Sequence, residues 1–372
     1  MIIMIGLVLI LVGLLKKNII SSVLSLLFML WLITIVPHDI YSNNDYAAYL
    51  VAYQDPDSVT MEPGFILMLK ILYSTGFSFD QARWTLLFVG TIVFWLMFRW
   101  ISQSWSLVLI GYLFSTFFID QVQLRNTVMW AFIFIGICIL LKRGISKINV
   151  LLFLAFVFFA GSIQSSGYLY ALIALFSKFF VEYNTSNNNT FIEGLKVFFV
   201  TMFLYYAGYY VLAPILNLVQ KFLPIHFVEG YLVSGAKGGG QVGGLGLMIY
   251  PIQLAIIVSV FVLLVREYEQ YNNKDKKLDI TVLNGIIKFN YFLIPLIAVN
   301  FNFFRLLRNE WILLVLLLVY LNKYRKPGYL STTTFWCSLA VVFSGLWWSS
   351  GLVYTNIVSP TITEIVSYII QN

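Results

Sequence analysis

Residues 122–141 read VQLRNTVMWAFIFIGICILL, and Lys142 and Arg143 follow at once. Only one of those twenty side chains is charged, Arg125, and it stands at the leading edge. A hydrocarbon core about 30 Å thick is crossed by roughly 20 apolar residues wound as a helix. The stretch therefore fits a spanning helix with a polar entry and a cationic exit. A transmembrane β-barrel would instead alternate polar and apolar residues over segments of about ten, and this run does not.

The same pattern recurs along the chain. Apolar runs fall at 1–15, 18–36, 83–98, 104–119, 122–141, 148–163, 167–181, 195–214, 245–266, 282–300, 306–321 and 333–350. The composition agrees: 60% hydrophobic and 18% aromatic residues against 10% charged, with a mean hydropathy of +0.87. A soluble domain carries about 25% charged residues, so water cannot cover this chain. The sequence predicts an all-α polytopic membrane bundle of about 11–12 transmembrane helices, built as one integral domain over 1–372. The first run lacks a basic leading segment and a small-residue cleavage site, so it reads as a retained helix.

Charge sets the expected orientation. With residue 1 outside, alternate connections hold 15 of the 23 basic residues, among them Lys142, Arg143, Lys196 and Arg266; Lys288 falls inside a helix. The opposite connections hold seven basic residues and ten of the sixteen acidic ones. That asymmetry is the positive-inside bias, and it accounts for the net charge of +7 without nucleic acid. Cys138 and Cys337 lie in separate apolar runs and read as small core residues. His38 and His226 alone cannot cage a metal, and no zinc, calcium or Walker A motif is present, so neither metal nor cofactor is expected.

Polar residues gather on the outer side in three places. Two long outer loops are expected, 37–82 and 214–244. The first carries Asp39, Asp45, Asp55, Asp57 and Glu62, and Asp45, Tyr46, Tyr49 and Tyr53 are spaced to share a helix face. Acid and aromatic rings along one face suit a sugar; interfacial anchoring is the competing reading for the tyrosines. Glu62-Pro63-Gly64 opens a short apolar helix, 65–75, too brief to span. The second place is Asp120-Gln121-Val122-Gln123-Leu124-Arg125-Asn126, where Gln121 and Arg125 lie one turn apart, with an Arg125–Asp120 pair as the structural alternative. The third runs from Asn300 to Glu310, where Arg305 and Arg308 fall three apart. Arginine suits phosphate because its planar fork donates paired hydrogen bonds. A structural pair of Arg308 with Glu310 or Asp80 competes with that reading. Gln164 stands at another outer junction. The GGGQVG stretch at 238–243 reads as a flexible outer loop, because no strand precedes it.

With these residues in view, the chain resembles the EpsG-type branch of the Wzy polysaccharide polymerases. The resemblance rests on Asn44-Asp45-Tyr46, Tyr49 and Tyr53, on Glu62-Pro63-Gly64-Phe65, on Gln123-Leu124-Arg125-Asn126 and on Arg305. It implies an inner-membrane glycosyltransferase, GT-C-like in fold, that joins undecaprenyl-diphosphate-linked oligosaccharide repeats into O-antigen, capsule or exopolysaccharide on the extracytoplasmic face. It also implies membrane lipid, a flippase and a chain-length regulator as partners. Under that resemblance Asp45, Glu62, Arg125 and Arg305 are the catalytic candidates. Tyr46, Tyr49, Asp120, Gln121, Gln123, Gln164 and Arg308 are candidates for substrate binding. The chain departs from the family pattern twice: His38 and Asp39 stand in place of an upstream basic residue, and Gln164 stands where a histidine is common. A lipid-linked oligosaccharide flippase or exporter and an O-antigen ligase are the alternatives.

Overall fold

The computed structural model describes residues 19–35, 44–102, 108–109, 111–113, 116–179, 190–215, 244–271 and 278–324. The runs at 1–15 and 333–350 lie outside those residues, as do His38, Asp39, His226, Cys337 and most of the 214–244 loop. Every regular element among the described residues is helical, and five helices there are long and apolar enough to cross a bilayer. The protein is an all-α, multi-pass membrane protein. Two compact units divide the described residues, one up to Ala171 and one from Leu172.

The first unit contains α1 (Ile19–Ile35), α2 (Asn44–Gln54), α3 (Pro63–Ser74), α4 (Phe79–Ile101), α5 (Phe117–Val122), α6 (Leu124–Arg143) and α7 (Lys147–Ile163). A 3₁₀ turn, Ser165–Tyr170, follows α7. Local chemistry fixes the ends. Ser78 and Gln81 form a reciprocal capping box at the start of α4, satisfying two N–H groups that a helix start would otherwise leave bare. Between α6 and α7, Gly144 adopts φ 74° and ψ 179°, a region open almost only to glycine. The Asn149 amide then donates to the carbonyls of Arg143 and Gly144, fastening the turn. Arg99 and Arg143 each stack on a tryptophan, Trp95 and Trp100, so the basic ends of α4 and α6 meet at one end of the unit.

In lipid there is no hydrophobic drive between helices, so close van der Waals packing has to hold them. Gly136 lets α6 lie against Phe153 of α7: a Cβ there would stand 2.7 Å from the ring. Phe94, Phe98, Tyr112 and Phe134 interlock edge to face at 5.3–6.2 Å around the α4–α6 seam. The opposite side of α7, with Leu151, Phe158 and Phe159 exposed, is left for lipid.

The second unit contains α8 (Ala171–Phe179), α9 (Thr190–Ala207, continued by a π turn over Gly208–Leu212), α10 (Gly244–Tyr271), α11 (Ile280–Val299), α12 (Phe304–Asn309) and α13 (Trp311–Tyr324). Asp279 caps α11 by accepting the Thr281 N–H. Pro295 removes one donor from α11, and the π turn of α9 closes on it. Gly208 rests there against the Pro295 backbone, where a Cβ would come within 2.5 Å of the carbonyl oxygen. The spans read at 83–98, 122–141, 148–163, 245–266 and 282–300 are found within a few residues of their expected places.

Candidate functional site

The first turn of α3 supplies the centre of the site. Pro63 occupies the first helical position, where its missing N–H costs nothing, and Glu62 precedes it with an extended backbone. Gly64 allows this turn to press on the end of α7: a Cβ there would meet the Ser162 backbone, 2.7 Å from its carbonyl oxygen. The Glu62 carboxylate thereby reaches two other elements. Its Oε1 accepts the Ser165 N–H at 2.8 Å, and its Oε2 accepts from Arg125 Nη1 at 2.5 Å. The two side chains of the pair are 17% and 21% exposed, so the pair is shielded on most sides and open on one. Gln164, buried, caps α7 immediately before Ser165. Glu62, Arg125 and the Gln164–Ser165 junction, widely spaced in sequence, thus converge.

A second group lies between α2 and α4. The Tyr46 hydroxyl donates to Asp80 Oδ1 at 3.0 Å, and Arg83 Nε stands 3.7 Å from the same oxygen. The Arg83 guanidinium lies 6.0 Å from the Tyr46 ring centre, within cation–π range. Burial, and then the adjacent Asp80 carboxylate, push the Tyr46 hydroxyl above the ordinary tyrosine value, so it remains a donor. Arg83 is buried, and its Nε and Nη1 make no hydrogen bond. Sequence reading did not single out Arg83. The signal was the Asp80-x-x-Arg83 spacing, which puts both on one face of α4.

The shared face expected for Asp45, Tyr46, Tyr49 and Tyr53 divides. Tyr49 and Tyr53 turn inward, onto Phe65 and onto Tyr73 with Phe79, and the Tyr53 hydroxyl donates to the Phe77 carbonyl. Asp45 and Tyr46 stay half-buried at the head of α2. These rings hold α2 onto α3, which is a packing role. Gln121 and Arg125 do not lie on one continuous helix, as their spacing suggested. The chain breaks at Gln123 (φ −96°, ψ 58°), which ends α5 and starts α6. The buried Gln121 amide donates to the Phe117 carbonyl, and the carbonyl of buried Asp120 accepts from the Thr127 hydroxyl. Gln123 is half-buried, and its own carbonyl also receives the Thr127 hydroxyl. The acid found on Arg125 is Glu62, where Asp120 had been the structural alternative.

Arg305 and Arg308 belong to the second unit and share the six-residue α12; Arg305 is half-buried and Arg308 buried. Asn300 Oδ1 accepts the Asn302 N–H and shapes the entry to that helix. Glu310, between α12 and α13, is buried, and the Asn290 amide is the polar group beside its carboxylate. Burying a carboxylate in this way is expensive, which makes Glu310 a functional candidate beside the two arginines. Among the described residues, no group of three or more His, Cys, Asp or Glu side chains is placed to hold a metal.

The sequence model of the EpsG family matches residues 22–363, nearly the whole chain. This chain belongs to the EpsG family. No curated protein and no solved structure matches it. In this EpsG chain, the Glu62-Pro63-Gly64 turn and the Arg125 entry to α6 are now physically one site, joined through Glu62.

Proposed function

We propose that the protein is a polysaccharide polymerase, joining undecaprenyl-diphosphate-linked oligosaccharide repeats on the extracytoplasmic side of a bacterial inner membrane. The observation that carries this is the Glu62–Arg125 pair, braced by the Ser165 N–H, in a chain of the EpsG family. In the reaction, an acceptor hydroxyl oxygen bonds to the anomeric carbon while the bond from that carbon to the diphosphate breaks. The hydroxyl proton passes to a carboxylate, and the lipid diphosphate departs carrying the electron pair.

Both Glu62 oxygens are engaged, so its task is to hold the Arg125 fork in a fixed direction. Arg125 then stabilises the departing diphosphate; Arg305 and Arg308, in the second unit, are proposed as further diphosphate-binding groups. Asp45, half-buried at the head of α2, is the candidate base, and Asp80 with Tyr46 offers a polar wall for acceptor hydroxyls. Gln164 cannot titrate and serves as a hydrogen-bonding group.

The test is complementation of a polymerase-deleted host that makes the matching repeat unit, with glycan chain length read on a gel. Wild type should restore a ladder, and Arg125→Ala and Arg305→Ala should collapse it to single repeats at equal membrane levels. A wild-type chain that is well expressed yet gives no ladder would overturn the polymerase reading in favour of transfer or translocation. A normal ladder from both variants would keep the reaction and remove the arginines from it.

A further inference from the structure

The proposed chemistry leaves a cavity in the second unit without a role. Helices α9, α10 and α11 enclose about 220 Å³ at the end of the unit opposite Asn300 and Arg305. Its polar lining comes from all three: Glu193 and Lys196 of α9, Arg266 and Glu269 of α10, Lys288 and Tyr291 of α11. Valines and an isoleucine of the same helices make an apolar floor. Glu193, its side chain 8% exposed, accepts from Lys196 Nζ and Arg266 Nη2, each at 3.1 Å. One buried carboxylate thus holds two cations from different helices side by side at the cavity wall. Lys288 lies eight residues into α11, about 12 Å along its axis, a depth at which a lysine is costly unless a polar cavity receives it.

We propose that this cavity binds the phosphate of an anionic phospholipid from the leaflet at that end. Three cationic residues face two acidic ones, so the lining carries one net positive charge, which a phosphodiester neutralises. The volume is below the ~300–1,000 Å³ typical of sites that enclose a whole small molecule, and so it suits a headgroup whose chains stay in the bilayer. The apolar floor suits a phosphate attached to hydrocarbon better than a free ion. Lys196 and Arg266 sit at the end that the positive-inside bias assigns to the cytoplasm, where the leaflet is anionic and basic pockets between helices collect acidic headgroups. The site is independent of the polymerase reading and lies at the far end of its unit from Arg305 and Arg308.

The test uses the full chain in mild detergent, with lipid retention read by native mass spectrometry and the unfolding midpoint read in parallel. Dioleoyl phosphatidylglycerol, dioleoyl phosphatidylcholine and inorganic phosphate are the probes. Phosphatidylglycerol should be retained and should raise the midpoint. Phosphatidylcholine should do neither, and inorganic phosphate should not displace the bound lipid. Lys288→Gln and Lys196→Gln should each weaken retention roughly fivefold, the worth of one cation near an anionic surface. Equal retention of the two lipids would overturn the proposal, as would full displacement by inorganic phosphate, which would assign the site to the free ion. Unchanged affinity in folded Lys288→Gln would also overturn it. Should that variant not fold, Lys196→Gln decides, because its side chain is 58% exposed and its loss leaves the helix contacts in place.

Discussion

Gly64 shows how one missing methyl group sets the position of a charged pair. Gly64→Ala puts a Cβ onto the Ser162 backbone, and overpacking of this kind costs about 1–3 kcal/mol. The turn has to lift off α7 and carry Glu62 with it. Chain elongation should fall while the protein still inserts, which membrane immunoblots beside glycan gels will show. Arg125→Ala should lower elongation about 10²–10³-fold, the scale for losing one preorganised charge stabiliser. Arg125→Lys should recover only part of that, because lysine keeps the charge and loses the fork; initial rates with a purified lipid-linked donor measure the difference. At this scale the sequence named Glu62 and Arg125 as candidates and left open what Arg125 pairs with. Sixty-three positions separate them, and no local spacing encodes that contact. The buried Arg83 and Glu310 were less legible, since each is one charge at the edge of an apolar run and its burial depends on which helices pack around it.

Among the helices, α4 is the best defined by its own residues. Ser78→Ala removes the acceptor for the Gln81 N–H and should lower stability by about 1 kcal/mol, seen as a lower unfolding midpoint in detergent. Adding Gln81→Ala should cost much less than a second full increment, because both residues belong to one reciprocal box. Long apolar spans were legible because a helix that crosses lipid must be continuously apolar, and that requirement is written residue by residue. The break at Gln123 was not. No proline or glycine marks it, and the Thr127 hydroxyl bonds to the Asp120 and Gln123 carbonyls that bracket the junction. The neighbours of Tyr49 and Tyr53 were illegible for a related reason. Their spacing identifies a face of α2, but whether that face meets sugar or α3 depends on Phe65, Tyr73 and Phe79.

Across the whole molecule, the positive-inside bias predicts that the two ends of the first unit lie on opposite sides of the membrane. Cysteine at Ser58, beside Asp57, should react with a membrane-impermeant thiol reagent in intact cells, and cysteine at Ser146 should react only after the membrane is opened. Cys138 should stay silent in both, being wholly buried in α6. Labelling from outside at residue 146 would reverse the orientation and, with it, the face assigned to the reaction.

The bond from Ser165 to Glu62 spans 103 residues, and that number is also an interval of time. A ribosome adding ~5–20 residues per second makes Ser165 about 5–20 s after Glu62. Throughout that interval the Glu62 carboxylate lacks its Ser165 donor. The site closes only when the end of α7 emerges and docks on the first turn of α3. The Glu62–Ser165 contact is therefore a late event in synthesis, made only after α4, α6 and α7 have all been delivered.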